Sequence, residues 1–153
     1  MTENFQKPIA APPTVFGAAL LLGIVLDLIW SAPVSRSMLR LPIGATGIAG
    51  GIWLIRKSMI EMNAGDTTYD PFAPSTNLVT SGIYRHIRNP GYLGLAVIQF
   101  GFSCLLNSCW IISTLIAAFL ITHFFVVLRE EDKLRRTFGE SYDTYVASSR
   151  RWV

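Results

Sequence analysis

Two polar segments of the sequence, residues 63–92 and 129–152, carry the groups that could do chemistry. These groups are an acidic pair, a histidine and an arginine: Glu130, Glu131, His86 and Arg88. A carboxylate or an imidazole can accept a proton from a reacting group, so Glu130 is the first candidate for a general base and His86 the second. Arg88 could contact a bound molecule or only anchor lipid headgroups. The chemistry these residues allow is therefore proton transfer and ionic recognition.

The sequence outside these segments is too apolar for an ordinary water-soluble domain. Of the 153 residues, 51% are hydrophobic and only 15% are charged, and the apolar residues form uninterrupted blocks. The sequence predicts an all-α integral membrane protein with about four transmembrane helices, a cytoplasmic loop and a C-terminal interfacial helix. The predicted spans are residues 14–32, 42–55, 92–106 and 109–128, the second of which lengthens if its flanking basic side chains snorkel.

We interpret residues 1–153 as a single membrane-embedded domain. Residues 1–62 hold two N-terminal transmembrane helices, and residues 63–153 hold the polar loop, a helical hairpin and the tail. Because only Asn107 and Ser108 separate the third and fourth spans, the hairpin is tight and returns both polar segments to one membrane face. Most lysines and arginines fall on that face, so the positive-inside rule places it in the cytoplasm. The short chain favours a prokaryotic inner membrane.

Three features inside the predicted spans bear on packing. Gly47 and Gly51 form a small-xxx-small pair that would let another helix approach closely. Asp27 and His123 are ionisable groups at membrane depth, where such groups are costly and often functional. For Asp27 a structural hydrogen bond is the better interpretation, whereas His123 could serve function or make an interhelical hydrogen bond.

The charged tail after residue 128 has a helical pattern of apolar residues. Leu134, Phe138, Tyr142 and Tyr145 recur at helical spacing, which predicts one stripe on a helix that continues from the fourth span and bends onto the membrane surface. Gly139 is a possible break. Cys104 and Cys109 have neither CxxC spacing nor a histidine cluster, so no metal site is predicted.

Two motifs in the polar segments resemble the signatures of one enzyme family. Residues 78–94 read LVTSGIYRHIRNPGYLG, and residues 130–145 read EEDKLRRTFGESYDTY. They resemble the LVTSGxYxxxRHPxYxG and EExxLxxxFGxxYxxY motifs of isoprenylcysteine carboxyl methyltransferases and related phospholipid methyltransferases. The resemblance covers roughly residues 67–152. Asn89 stands where the family often has histidine, and no proline precedes Arg151 as it commonly does in the family.

The resemblance implies methyl transfer from S-adenosylmethionine to a lipophilic or small acceptor at the membrane, with S-adenosylhomocysteine as product. The donor has a sulfonium cation, a zwitterionic end and a flat adenine, which a carboxylate, hydrogen-bond donors and aromatic walls would bind. Carried over by position, the catalytic residues are Glu130 and Arg88. The cofactor-binding residues are Tyr69, Thr76, Asn77, Leu78, Val79, Tyr84, Asn89, Pro90, Gly91, Tyr92 and Glu131.

The acceptor follows less directly from the sequence. Val126 stands where the prenylcysteine enzymes of eukaryotes carry an arginine associated with the acceptor carboxylate, so a phospholipid amine, a small thiol or a quinone-like lipid is expected instead. The alternatives are an NADPH-dependent membrane reductase related to sterol reductases, or a non-enzymatic membrane scaffold. Membrane lipid is an expected partner. Nucleic acid is not, because the basic residues behind the net charge of +3 flank apolar blocks instead of forming one soluble face.

Overall fold

The computed structural model describes residues 11–67 and 77–153, and these residues are largely helical. The helices in these ranges are α1 (Pro12–Ile29), α2 (Arg40–Ala64), α3 (Pro90–Leu106), α4 (Cys109–Thr122), α5 (Leu128–Phe138) and α6 (Glu140–Ser148). A short 3₁₀ helix, Gly82–Arg85, precedes α3, and a π-helical turn, His123–Val127, joins α4 to α5 without a break. The predicted all-helical class is confirmed.

Two helices are long and apolar enough to cross a membrane: α1, and the continuous helix Cys109–Phe138 made of α4, the π-turn and α5. Many of their apolar side chains are exposed, as Leu28 (81%) and Ile29 (78%) illustrate, and so much exposed apolar surface favours an apolar environment. The predicted count of about four spans is not confirmed. Helix α3 has only 17 residues, and the last third of α2 includes two basic residues and an acidic one.

The boundaries of helices α1 and α2 differ from those predicted. Helix α1 ends at Ile29, three residues early, because the connection to α2 turns there. The carboxylate of Asp27 accepts a hydrogen bond from the backbone N–H of Ala32 (3.2 Å), so it has a structural contact of the predicted kind. Helix α2 runs from Arg40 to Ala64 and is much longer than the predicted block. At its start the Arg40 guanidinium donates to the carbonyl of Leu105 (3.0 Å).

Helices α2 and α3 pack antiparallel through glycines. A Cβ atom at Gly51 would lie 2.6 Å from the carbonyl oxygen of Gly94, and one at Gly94 would lie 2.7 Å from that of Gly51. Gly44 and Gly101 form a second reciprocal pair at 2.7 Å, seven residues along each helix. The predicted partner Gly47 makes a looser contact, 3.4 Å from the Cα of Gly101. Nearly antiparallel helices meet every two turns, which explains the spacing of seven.

We expect Gly51→Ala to destabilise the protein by about 1–3 kcal/mol, because the added methyl group forces two packed backbones apart. The matched control is Gly50→Ala, since a Cβ atom at Gly50 meets nothing within 4 Å. That change should be neutral or stabilising by up to about 1 kcal/mol, the helix preference of alanine over glycine. Thermal unfolding in detergent micelles compares the two variants. Equal midpoints would contradict the close packing of α2 on α3.

The helix that begins at Cys109 does not continue as one stripe through the tail. It breaks at Gly139, whose φ of +54° belongs to the left-handed region. Helix α6 then folds back so that Arg135 pairs with Asp143 (2.9 Å). Tyr142 and Tyr145 on α6 are buried, whereas Leu134 and Phe138 on α5 are half-buried. The predicted break is therefore present, but the single stripe is wrong because its two halves lie on different helices.

Candidate functional site

A hydrogen bond between Tyr92 and Glu130 joins the two motif segments. The Tyr92 hydroxyl donates to Glu130 Oε1 over 2.8 Å. Tyr92 lies in the first turn of α3, which begins with Pro90 in the position that tolerates a missing N–H. Glu130 lies in the first turn of α5, just beyond the roughly 20 apolar residues that suffice to cross hydrocarbon. Both groups thus sit where apolar helix gives way to polar chain.

The Tyr92–Glu130 pair is set against an apolar cluster. Tyr92 packs with Val126 and Val127, and Trp152 from the C-terminus covers this cluster. Burial raises the pKa of Glu130 to about 7, although the Tyr92 hydrogen bond and the Lys133 charge both lower it. A carboxyl group with this pKa exists in both protonation states near neutral pH. It can therefore accept a proton from a reacting group and release it again.

Glu131, the neighbour of Glu130, lies in a different environment. It accepts two hydrogen bonds from the Arg151 guanidinium, at 2.9 and 2.7 Å, and two longer ones from Arg88, at 3.4 and 3.3 Å. Burial would raise the pKa of Glu131, but the hydrogen bonds and charges of Arg151 and Arg88 outweigh it and lower the pKa. The pKa values of two adjacent carboxyl groups are thus shifted in opposite directions, which separates their possible roles.

Arg88 is fixed by protein groups on several sides. Its side chain is 9% exposed, and besides Glu131 it donates to the carbonyl of Ser149 over 2.6 Å. We call Arg88, Glu131, Arg151 and Ser149 the arginine clamp. The clamp joins α5, the segment before α3 and the C-terminal tail.

Backbone pairing reinforces the arginine clamp. The Arg88 N–H donates to the Arg150 carbonyl (2.8 Å), and the Arg150 N–H donates to the His86 carbonyl (2.9 Å). The side-chain amide of Asn89 donates to the Arg151 carbonyl (3.1 Å). These bonds hold Trp152 against the apolar cluster around Tyr92. The His86 side chain is exposed, and its backbone carbonyl provides its contact with the tail.

Tyr84 links the site to α2 and α6. Its hydroxyl bonds the Ser58 hydroxyl of α2 at 2.5 Å, and its carbonyl accepts from the Tyr145 hydroxyl of α6 at 2.6 Å. Burial raises the pKa of Tyr84 to about 12; the Ser58 hydrogen bond lowers it, and the charges of Glu130 and Glu61 raise it. Tyr84 is therefore near the carboxylates of Glu130 and Glu61, and its hydroxyl stays protonated at neutral pH.

Glu61 is a candidate site residue that the sequence reasoning missed. It accepts a hydrogen bond from the Ser81 hydroxyl (3.2 Å) and packs so closely on Gly82 that any side chain there would collide with its carboxylate. Gly82 also has a φ of +55°, which favours glycine. One signal was available in the sequence. An acidic residue near the C-terminus of a helix interacts unfavourably with the helix dipole. Its presence there therefore indicates that its carboxylate makes another, favourable contact.

The remaining predicted residues divide into two groups. Arg88, Asn89, Pro90, Gly91, Tyr92, Glu130 and Glu131 lie together at the start of α3 and α5. The segment Asn77, Leu78 and Val79 lies instead against the end of α2, where the Asn77 amide donates to the Gly65 carbonyl (2.9 Å) and Val79 packs on the Gly65 backbone. Tyr69 and Thr76 lie outside the described residues.

Sequence comparisons identify relatives of this chain. Its similarity to the protein-S-isoprenylcysteine O-methyltransferase of Schizosaccharomyces pombe is 37% identity over 70 residues, which is 44% of this chain and 29% of that protein. The chain thus matches less than a third of the length of that relative. No solved structure matches the chain. The family model for phospholipid methyltransferases matches residues 39–141, more than half of the chain, including Tyr92 and Glu130. The chain therefore belongs to the phospholipid methyltransferase family.

Proposed function

We propose that the protein transfers a methyl group from S-adenosylmethionine to a lipophilic or small acceptor at the membrane. The observation that carries the proposal is the Tyr92–Glu130 hydrogen bond, since it joins two distant motif segments at the end of the apolar helices. In the proposed arrangement all four long helices cross a prokaryotic inner membrane, and both polar segments face the cytoplasm. The excess of lysine and arginine on that side supports this orientation.

The chemistry of the described residues fits the cofactor. Two carboxylates, Glu61 and Glu130, both act electrostatically on Tyr84, so this region attracts cations such as a sulfonium or an ammonium group. The rings of Tyr84 and Tyr92 offer aromatic surface nearby. The residues that would hold the cofactor are therefore these two carboxylates and two tyrosines. When bound, the cofactor supplies an electrophilic methyl group.

The residues of this chain then have distinct tasks. Glu130, with its pKa raised to about 7, accepts the proton that an amine, alcohol or thiol loses as it becomes methylated. Tyr92 holds the Glu130 carboxylate in place through its hydroxyl. The arginine clamp holds the tail so that Trp152 covers the apolar cluster, which helps to exclude water from the site.

The acceptor we favour is a neutral or basic nucleophile. The relative from Schizosaccharomyces pombe is named for isoprenylcysteine, and the carboxyl methyltransferases that the two motifs resemble act on a carboxylate. Val126 stands where the prenylcysteine enzymes of eukaryotes carry an arginine. It is 1% exposed and packs in the apolar cluster. The nearby arginines, Arg88 and Arg151, already pair with Glu131. A carboxylate acceptor in this cluster would therefore have to compete with Glu131 for the charge of these two arginines, which is unfavourable.

The proposal is tested by incubating the purified protein with methyl-labelled S-adenosylmethionine and an extract of membrane lipids. We expect label in an organic-phase product, and we expect S-adenosylhomocysteine, but not NADPH, to bind and inhibit. Family membership does not favour the reductase alternative, and this titration separates the two. A scaffold without enzymatic activity would bind neither compound. Absence of labelled product with any membrane extract would overturn the proposed function.

A further inference from the structure

The π-helical turn His123–Val127 lies between α4 and α5, directly before the helix that carries Glu130. The N–H of Leu128 bonds the carbonyl of His123, five residues back, in place of the usual four. Such single π-turns are rare inside α-helices and are frequent at functional sites. The turn separates the apolar part of the helix from the segment that carries Glu130.

Two polar atoms at the start of this turn lack a hydrogen-bond partner among the residues that the structure describes. They are His123 Nδ1 and the hydroxyl oxygen of Thr122, and both are buried. Thr122 is 0% exposed. Buried polar atoms are seldom left unpaired, because each loses its hydrogen bonds to water without replacement. The sequence left open an interhelical hydrogen bond as the role of His123. Within the described residues, Nδ1 of His123 makes no such bond.

The His123 ring lies beside the tryptophan that packs on the candidate site. Its centroid is 6.0 Å from that of Trp152, and Trp152 packs against the cluster of Tyr92, Val126 and Val127. Glu130 follows His123 by seven residues, which is two helical turns or roughly 10 Å. A series of side-chain contacts therefore connects His123, through Trp152 and the two valines, to the Tyr92–Glu130 pair.

We infer that His123 and Thr122 form a second binding subsite for the acceptor, which receives a hydrogen-bonding group on its apolar stem. The ligand class is an amphiphile whose reactive head lies at Glu130 and whose stem carries an ester or amide carbonyl roughly 10 Å away. The inference rests on the proposed function, since it places the acceptor head beside Glu130.

Histidine NMR tests the subsite without requiring turnover. The chain has two histidines, His86 and His123, so protein labelled only at histidine gives two imidazole signals, and His86→Gln assigns them. The probes are micelles containing a diacyl phosphatidylethanolamine, or its dialkyl ether counterpart, which has the same head but no carbonyl. We expect the diacyl lipid to shift the His123 signal, and the dialkyl lipid to bind about tenfold more weakly, the loss of one hydrogen bond.

A matched variant separates the hydrogen bond from general lipid binding. In His123→Phe the aromatic surface remains but the nitrogen is lost, so the diacyl lipid should bind only as well as the dialkyl lipid. Equal shifts of His123 by both lipids, binding without a His123 shift, or no binding of either lipid would each overturn the subsite. Failure of methyl transfer while the His123 shift persists would overturn only the proposed function.

Discussion

Replacing Glu130 with glutamine is expected to slow methyl transfer by about 10²- to 10⁴-fold, the usual contribution of a general base. The substitution keeps the size of the side chain and an oxygen that can accept the Tyr92 hydrogen bond, which is 2.8 Å long in the native protein. It removes the carboxylate that takes the proton from the molecule being methylated. The measurement is kcat/KM with the labelled donor and the acceptor identified from membrane extract.

The matched control is Asp132→Asn, which removes a carboxylate two residues further along α5. Asp132 is exposed and pairs with Arg136 one turn away, and surface pairs of this kind contribute about 0–1 kcal/mol. Its activity should stay near the native value. If Glu130→Gln retains full activity, the acceptor loses no proton, as expected for a carboxylate or a thiolate. That result would return prenylcysteine-type acceptors to consideration.

The pH dependence gives an independent measure of the same group. Because the pKa of Glu130 is raised to about 7, the carboxylate form grows as the pH rises, and kcat/KM should increase through pH 7 and then level off. The Tyr92 hydrogen bond lowers this pKa, so Tyr92→Phe should move the rising limb to higher pH. Glu130→Gln should lack the limb. A limb that keeps its position in Tyr92→Phe would show that another group titrates.

Composition and helical pattern were enough to predict the all-helical class and the meeting of the two polar segments. Proline and glycine mark ends that the structure retains: Pro90 opens α3, and Gly139 ends α5. Because only Asn107 and Ser108 connect them, α3 and α4 lie side by side and run antiparallel. Asn107 itself adopts a φ of +56° there, a conformation that asparagine tolerates better than most residues.

Pair partners and local helix geometry could not be predicted in the same way. The sequence shows the acidic pair, but only the packing of the tail gives Glu131 two arginines and leaves Glu130 beside Tyr92. Likewise, several glycines of α2 are equally small, yet the positions of α3 decide that Gly44 and Gly51 make the closest contacts. The π-turn at His123 has no residue signature in the sequence.

Removing the shared carboxylate of the arginine clamp is the largest stability change that the structure predicts. Glu131→Gln leaves Arg88, 9% exposed, without its counter-charge, and breaking such a buried pair costs about 3–5 kcal/mol. The matched control is Asp143→Asn, which breaks the pair with Arg135. Those two side chains are 58% and 53% exposed, so the loss should be at most about 1 kcal/mol. Unfolding by denaturant in micelles compares the two.

The clamp also predicts where the damage appears, which distinguishes it from a direct role of Glu131 in cofactor binding. Since Arg151 and Arg88 hold the tail through Glu131, Glu131→Gln should free the residues after Ser149, and carboxypeptidase should trim them faster than in Asp143→Asn. Arg151→Gln should reproduce the faster trimming, and the double variant should add little, because the two substitutions break one network. If Glu131→Gln instead weakened S-adenosylhomocysteine binding with a stable, protected tail, Glu131 would belong to the cofactor site and the clamp would not be its main role.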